Sequence, residues 1–176
     1  MRGTSWLVGV GLLLGATGFA AAQTATAIKL SGDKPIQIES DKLEVHENEN
    51  LAIFTGNVNV VQEDTLLKAG LMNVYYVKGA KTTDASSGSQ QIDHVEMKSN
   101  VYIKSKEQVA TGDEGVFDVK ASTLVLTGKE VVLTDGKNVA KGCKLTVNTA
   151  NGKSQLDSCG KGGRVSVMIT PDNKGN

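Results

Sequence analysis

"LAIFTGNVNVVQED", Leu51 to Asp64, reads as one long β-strand except for Gly56 and Asn57 at its centre. Both residue types are depleted from strands, and an interior Gly gives a sheet nothing to pack. Apolar parity nevertheless runs straight through the interruption, because Phe54, Val58 and Val60 fall on one face. A two-residue hairpin fits poorly, since Asn-Gly is the order such turns favour. The stretch is better read as a strand that bends at Gly56, where the missing Cβ permits a corner, and then builds a second face.

The rest of the chain repeats this theme. Short alternating runs such as "PIQIES", "KLEV", "HVEMK", "VFDVK", "TLVLTG" and "KLTVN" are separated by turn signals such as "ENEN", "GDEG" and "ANGK". Almost nothing has helical period, so an all-β antiparallel architecture is expected. A shift of 72 residues, taken without a gap, pairs Asp41 with Asp113, Phe54 with Leu126, Thr55-Gly56 with Thr127-Gly128, Val60 with Val132 and Gly70 with Gly142. A weaker third copy is "KSNVYIK", Lys98 to Lys104. A repeated strand-corner-strand unit implies stacked rungs, each covering its neighbours' apolar edges.

The first 22 residues have the form of an export signal: Arg2, an apolar run, and Ala20-Ala21-Ala22 before Gln23. The expected organisation is a signal at 1–22, a flexible segment at 23–34, one β-domain at 35–171 and a short tail at 172–176, with a mobile loop over 78–91. Without Arg2 the 19 basic residues become 18 against 19 acidic ones. That balance offers nucleic acid no clustered basic surface.

Catalytic and metal-binding patterns are missing from the sequence. His46 and His94 have no partner at metal spacing and read as solvated side chains. No Ser lies in a nucleophile elbow. "NGKS" at Asn151 to Ser154 lies between strands, with Val147 where a phosphate loop needs its first Gly. Neither cofactor nor metal is expected, and no enzyme activity. Cys143 and Cys159 carry more information. Folding "KLTVNTANGKSQLDS" symmetrically about Asn151 sets the two opposite each other, and an exported chain meets an oxidising compartment.

Taken together, "PIQIESDKLEV", "AIFTGNVNVVQEDTLLKAG", "VATGDEGVFDV", "LVLTGKEVVL" and "GRVSVMITP" resemble the LptA family of OstA-like periplasmic lipopolysaccharide transport proteins. Related OstA-like domains occur in LptC and in the N-terminal part of LptD. The resemblance spans about Pro35 to Pro171, with Gly70 standing where the family commonly has an acidic residue. It implies an open antiparallel β-jellyroll of V-shaped rungs whose apolar interior holds the acyl chains of lipid A. It further implies end-to-end homo-oligomers bridging an LptC-like inner-membrane protein and an LptD-like outer-membrane protein. The same strands are open to two other readings: a structural or adhesive assembly without lipid cargo, or the OstA-like domain of an LptC-type partner.

Parity assigns the trough. Leu43 and Val45, Phe54, Val58 and Val60, Phe117 and Val119, and Leu124 and Leu126 are expected to line it, with Ile36 and Ile38 at its N-terminal mouth. Through "LLKAGLMNVYY" two sets compete: Leu67, Ala69 and Leu71, or Met72, Val74 and Tyr76. Met72 and Val74 are carried as lipid-binding candidates. An open roll leaves two bare edges, read as docking strands: Ile36 and Ile38 at one end, Val165, Val167 and Ile169 at the other.

Overall fold

The computed structural model describes residues 34–78 and 92–171. The export-signal residues, most of the polar loop (79–91) and the tail at 172–176 lie outside that range. Ten strands follow one another: β1 (Gln37–Glu39), β2 (Lys42–His46), β3 (Leu51–Gln62), β4 (Thr65–Tyr76), β5 (Ile92–Ser105), β6 (Gln108–Asp118), β7 (Thr123–Asp135), β8 (Asn138–Asn148), β9 (Ser154–Asp157) and β10 (Ser166–Met168). Among the described residues the one helical piece is a 3-10 turn at Glu47–Glu49. All strands join a single antiparallel sheet in the order β1-β3-β4-β5-β6-β7-β8-β10, with β2 also on β3 and β9 also on β8. The sheet is open, its first and last strands unpaired with each other, as the family resemblance implies.

Each long strand spans two limbs. In β3 the first limb pairs Leu51–Thr55 with Tyr75–Leu71, and the second pairs Val58–Gln62 with Ala69–Thr65. The break falls between Thr55 and Val58, where Gly56 and Asn57 both have positive φ, +78° and +46°. A Cβ on Gly56 would run into the Asp41 carboxylate, so Gly is required both for conformation and for space. Asp41 closes this corner: its N–H donates to Gly56 O (2.9 Å), and Asn57 Nδ2 donates to Asp41 Oδ2 (2.9 Å). The counterpart at Asp113 accepts from Lys129 N–H (2.8 Å) beside Gly128. The third copy bends at Ser99 and Asn100, with φ of +68° and +59°.

These corners decide one open assignment and correct one expectation. In β4 the register break between Lys68 and Leu71 switches parity, so part of each competing set is inward: Leu67 and Ala69 are buried before it and Met72, Val74 and Tyr76 after it, while Leu71, just past the break, is not. The repeat is also not free of gaps. In the first limb the shift of 72 holds, Phe54 and Leu126 both being buried. Beyond the corner Val131 rather than Val132 is fully buried, and Gly142 faces it across the ladder. The corner of β7 spans Gly128 to Glu130, one residue more than Gly56-Asn57, and this displaces everything after it.

The core is aliphatic. Val58, Val101, Ile103, Leu124, Leu126, Val131 and Leu145 are essentially inaccessible to solvent, each worth roughly 1.5–3 kcal/mol of transfer free energy. Gly115 lies inside it, where a Cβ would press on Leu126 and Met97.

Cys143 and Cys159 are disulfide-bonded, with Cα atoms 5.0 Å apart. The hairpin between them is one residue out of the symmetric register: Leu145 faces Leu156 and Val147 faces Ser154. An Asn148 turn sets that register, with Gly152 N–H donating to Asn148 O and Ala150 N–H to Asn148 Oδ1. The bond therefore forms just beyond the β8–β9 ladder, beside the corner at Gly142, and stands between the stretches of β8 that hold β9 and β10. Closing a loop of this size stabilises by roughly 3 kcal/mol in the chain-entropy model. Reduction should lower the melting temperature by roughly 6–12 °C for a domain of this length, with the β-sheet circular dichroism retained at room temperature. Labelling of both thiols in unreduced, denatured protein would show that no bond had formed.

Candidate functional site

The two limbs enclose an apolar cleft with a cavity of about 250 Å³. Its second-limb wall consists of Ile36, Ile38, Val60, Gln62 and Leu67 from the N-terminal rungs. The opposite wall, from the first limb, is Met72, Val74, Ile92, Val95, Met97, Phe117, Val119 and Leu124, with Ser122 at its margin. The pleat explains this arrangement: cross-strand partners share a face, so Val74, Val95, Phe117 and Leu124 line up across β4 to β7. Two thioethers, Met72 and Met97, supply adaptable surface in the wall.

Of the trough residues named from sequence, Ile36, Ile38, Val60, Met72, Val74, Phe117, Val119 and Leu124 are on the cavity wall. Phe54, Val58 and Leu126 are buried in the packed core beside it and do not line it. Leu43 and Val45 share the inward face, opposite Phe54 and Ala52, yet are 53% and 44% exposed because β2 is an edge with nothing beyond it. At the other edge Val165, Val167 and Ile169 are exposed too, Ile169 to 74%.

Sequence reasoning left out Gln62, Ile92, Val95, Met97 and Ser122, and left Leu67 undecided. Val95 and Met97 had a signal in the alternation of "HVEMK", but nothing in the run says which face turns inward. Gln62 continues the parity of Val58 and Val60, and its polarity hid it. It is buried, and its Nε2 donates to Lys34 O (3.1 Å).

The cleft has little chemistry to offer. No group of three or more His, Cys, Asp or Glu able to hold a metal occurs among the described residues. Burial pushes the Tyr76 phenol above its ordinary pKa, which keeps it neutral. His46 is exposed, as expected. His94 is more engaged than a solvated histidine: its Nδ1 lies 2.7 Å from Asp93 Oδ2, and its ring stacks on Tyr75 at 4.2 Å. What the site can do is cover apolar chains.

Comparison with known proteins agrees with this geometry. The sequence profile of the family described as LptA/(LptD N-terminal domain) LPS transport protein matches residues 37–153. An uncharacterized protein of Rhizobium meliloti (strain 1021) is 46% identical over 168 residues, 92% of this chain and 88% of its own. The lipopolysaccharide export system protein LptA of Escherichia coli (strain K12) is 28% identical over 161 residues, 91% of this chain and 84% of its own. Among solved structures, that of LptH from Pseudomonas aeruginosa, described as the LptA homologous periplasmic component of the conserved lipopolysaccharide transport device, superposes with a TM-score of 0.65. The match covers 80% of this chain and 98% of that one at 19% identity, a likeness of fold.

Proposed function

The chain belongs to the LptA/(LptD N-terminal domain) family of lipopolysaccharide transport proteins, and from that premise we propose that it shields the acyl chains of lipid A in the cleft between its limbs while lipopolysaccharide crosses the periplasm. The observation that carries this reading is the wall itself: a cavity lining drawn from the β1 to β7 rungs that is apolar apart from Gln62 and Ser122. Each methylene exposed to water costs roughly 0.8 kcal/mol, so a multi-acyl lipid needs continuous cover. A trough of uniform apolar character lets such a lipid slide with little change in exposure. Small-molecule pockets usually measure about 300–1,000 Å³, so a cavity of about 250 Å³ must widen by parting the limbs as cargo enters. The action needs no catalytic residue, and the pushing force comes from an inner-membrane partner.

End-to-end assembly completes the proposal, with an LptC-like protein at the inner membrane and an LptD-like protein at the outer one. The sheet path has eight positions, the first being β1 continued by β2 and the last β9 continued by β10. An even number of alternating rungs leaves the first and last running in opposite directions. A second copy can therefore place its first rung against the last rung of the one before and continue the antiparallel ladder unbroken. Inward residues would then be continuous across the junction: Ile38 and Leu43 on one side, Val167 and Leu156 on the other. Such a contact is heterologous and propagates.

Photo-crosslinking in the producing cell tests the cargo. A photoreactive residue at Phe117, in the cleft, should capture lipopolysaccharide, and one at Asp118, its outward neighbour, should not. Equal capture at both, or none at Phe117, would favour an assembly protein without lipid cargo.

A further inference from the structure

The chain is close to neutral as a whole, but its charge is sorted along the stack of rungs. Residues 34–64, the first two rungs, hold Lys34 and Lys42 against seven acidic side chains, a net of −5. Residues 137–171, the last two rungs, hold six basic side chains against Asp157 alone, a net of +5. The described residues between them, 65–78 and 92–136, carry seven basic and eight acidic side chains.

We propose that the acidic head and the basic tail are complementary halves of one docking surface, that its occupant is a second copy of this chain, and that charge selects head-to-tail order. This rests on the end-to-end reading above and adds what sets its polarity. A bare strand edge offers only N–H and C=O groups, which pair with almost any other edge. Something else must reject head against head and tail against tail, and like charges brought together do this.

The rung geometry brings opposite charges together at two points. When the first rung of one copy lies antiparallel to the last rung of another, the end of β2 meets the start of β9. That sets Glu47 and Glu49, exposed in the 3-10 turn, beside Lys153. At the corner, the Glu39–Asp41 step between β1 and β2 meets the 158–165 segment between β9 and β10, which carries Lys161 and Arg164. Part of the charge is already engaged within one copy: Lys42 pairs with Glu44 at 3.0 Å, and Lys141 with Glu130 at 3.2 Å. Glu47, Glu49, Lys153, Lys161 and Arg164 are exposed and well placed for a partner.

Sedimentation of the purified mature protein tests this. Raising salt from about 0.01 M to about 1 M shortens the Debye length from about 30 Å to about 3 Å, and self-association should weaken by about tenfold or more. E47K/E49K (reversed head) and K153E/K161E/R164E (reversed tail) should each stay monomeric where the parent associates. An equimolar mixture should recover pairing, because the unaltered basic tail of the first variant meets the unaltered acidic head of the second. Melting curves check that the variants fold, and Lys161→Glu alone, in an irregular exposed segment, should give a smaller shift in the same direction. Association indifferent to salt and to both reversals would overturn the charge proposal and leave strand docking standing. A parent protein monomeric at every salt concentration would overturn both.

Discussion

Tryptophan at both Val95 and Val119 should yield a folded, end-joining protein that has lost its lipid cargo. Both residues lie on the cleft wall and are only partly buried, so each indole has empty volume to enter. Overpacking a closed core usually costs 1–3 kcal/mol, and growth into an existing cavity should fall at or below the low end of that range. The effect on cargo is far larger. If the two rings displace about five methylenes from cover, at roughly 0.8 kcal/mol each, the loss is about 4 kcal/mol, or about a thousandfold in affinity. The measurement is the lipopolysaccharide that co-purifies with the protein, beside its melting temperature and sedimentation. Tryptophan at Lys104 and Glu114, exposed positions on β5 and β6, should leave the lipid content unchanged. A cleft variant retaining the parent's lipid would show that the acyl chains run elsewhere.

Strand content and the inward face were legible in the sequence wherever parity is unbroken. Phe54, Val58 and Val60 keep one parity because two consecutive left-handed residues, Gly56 and Asn57, turn the corner without switching face. The reading ran out where a corner is built differently. In β4 a one-residue offset changes which set points inward, so Leu67 and Met72 are both interior though their parities disagree. In β7 the longer corner moves the inward position from Val132 to Val131, which a shift of fixed length cannot register. The disulfide partners were visible from their spacing, but the ladder beside them was not, because the Asn148 turn sets it and not the midpoint of the segment. Leu43 and Val45 show a further limit: parity gives the face of a residue, and exposure depends on whether another rung covers it. The distinction between cavity and core was out of reach for the same reason. Phe54 and Phe117 share the inward pattern, and only the path of the opposing limb decides which of them meets empty space.

Deleting Arg164 to Asn176 should leave a folded protein that binds lipopolysaccharide, remains monomeric at high concentration and fails to support transport. The deletion is small in packing terms, since β10 contributes three paired residues, all exposed. The consequence comes from strand direction. β10 runs away from the corner and opposes the direction of β8, whose second-limb portion runs toward it. β1 also runs toward the corner, antiparallel to the second-limb portion of β3. With β10 present, an incoming β1 meets an antiparallel partner. Without it, β1 would lie beside β8 and parallel to it, against a register that β9 still sets in the first limb. A parallel pair spaces and slants its hydrogen bonds differently from an antiparallel one, so one docked rung cannot satisfy both limbs. Val167 and Ile169 would also be missing from the inner face at the junction, leaving a wet gap in a path that must stay apolar. Sedimentation, co-purified lipid and complementation of a depleted strain separate these effects. Concentration-dependent oligomers that survive the deletion would place the junction at another surface.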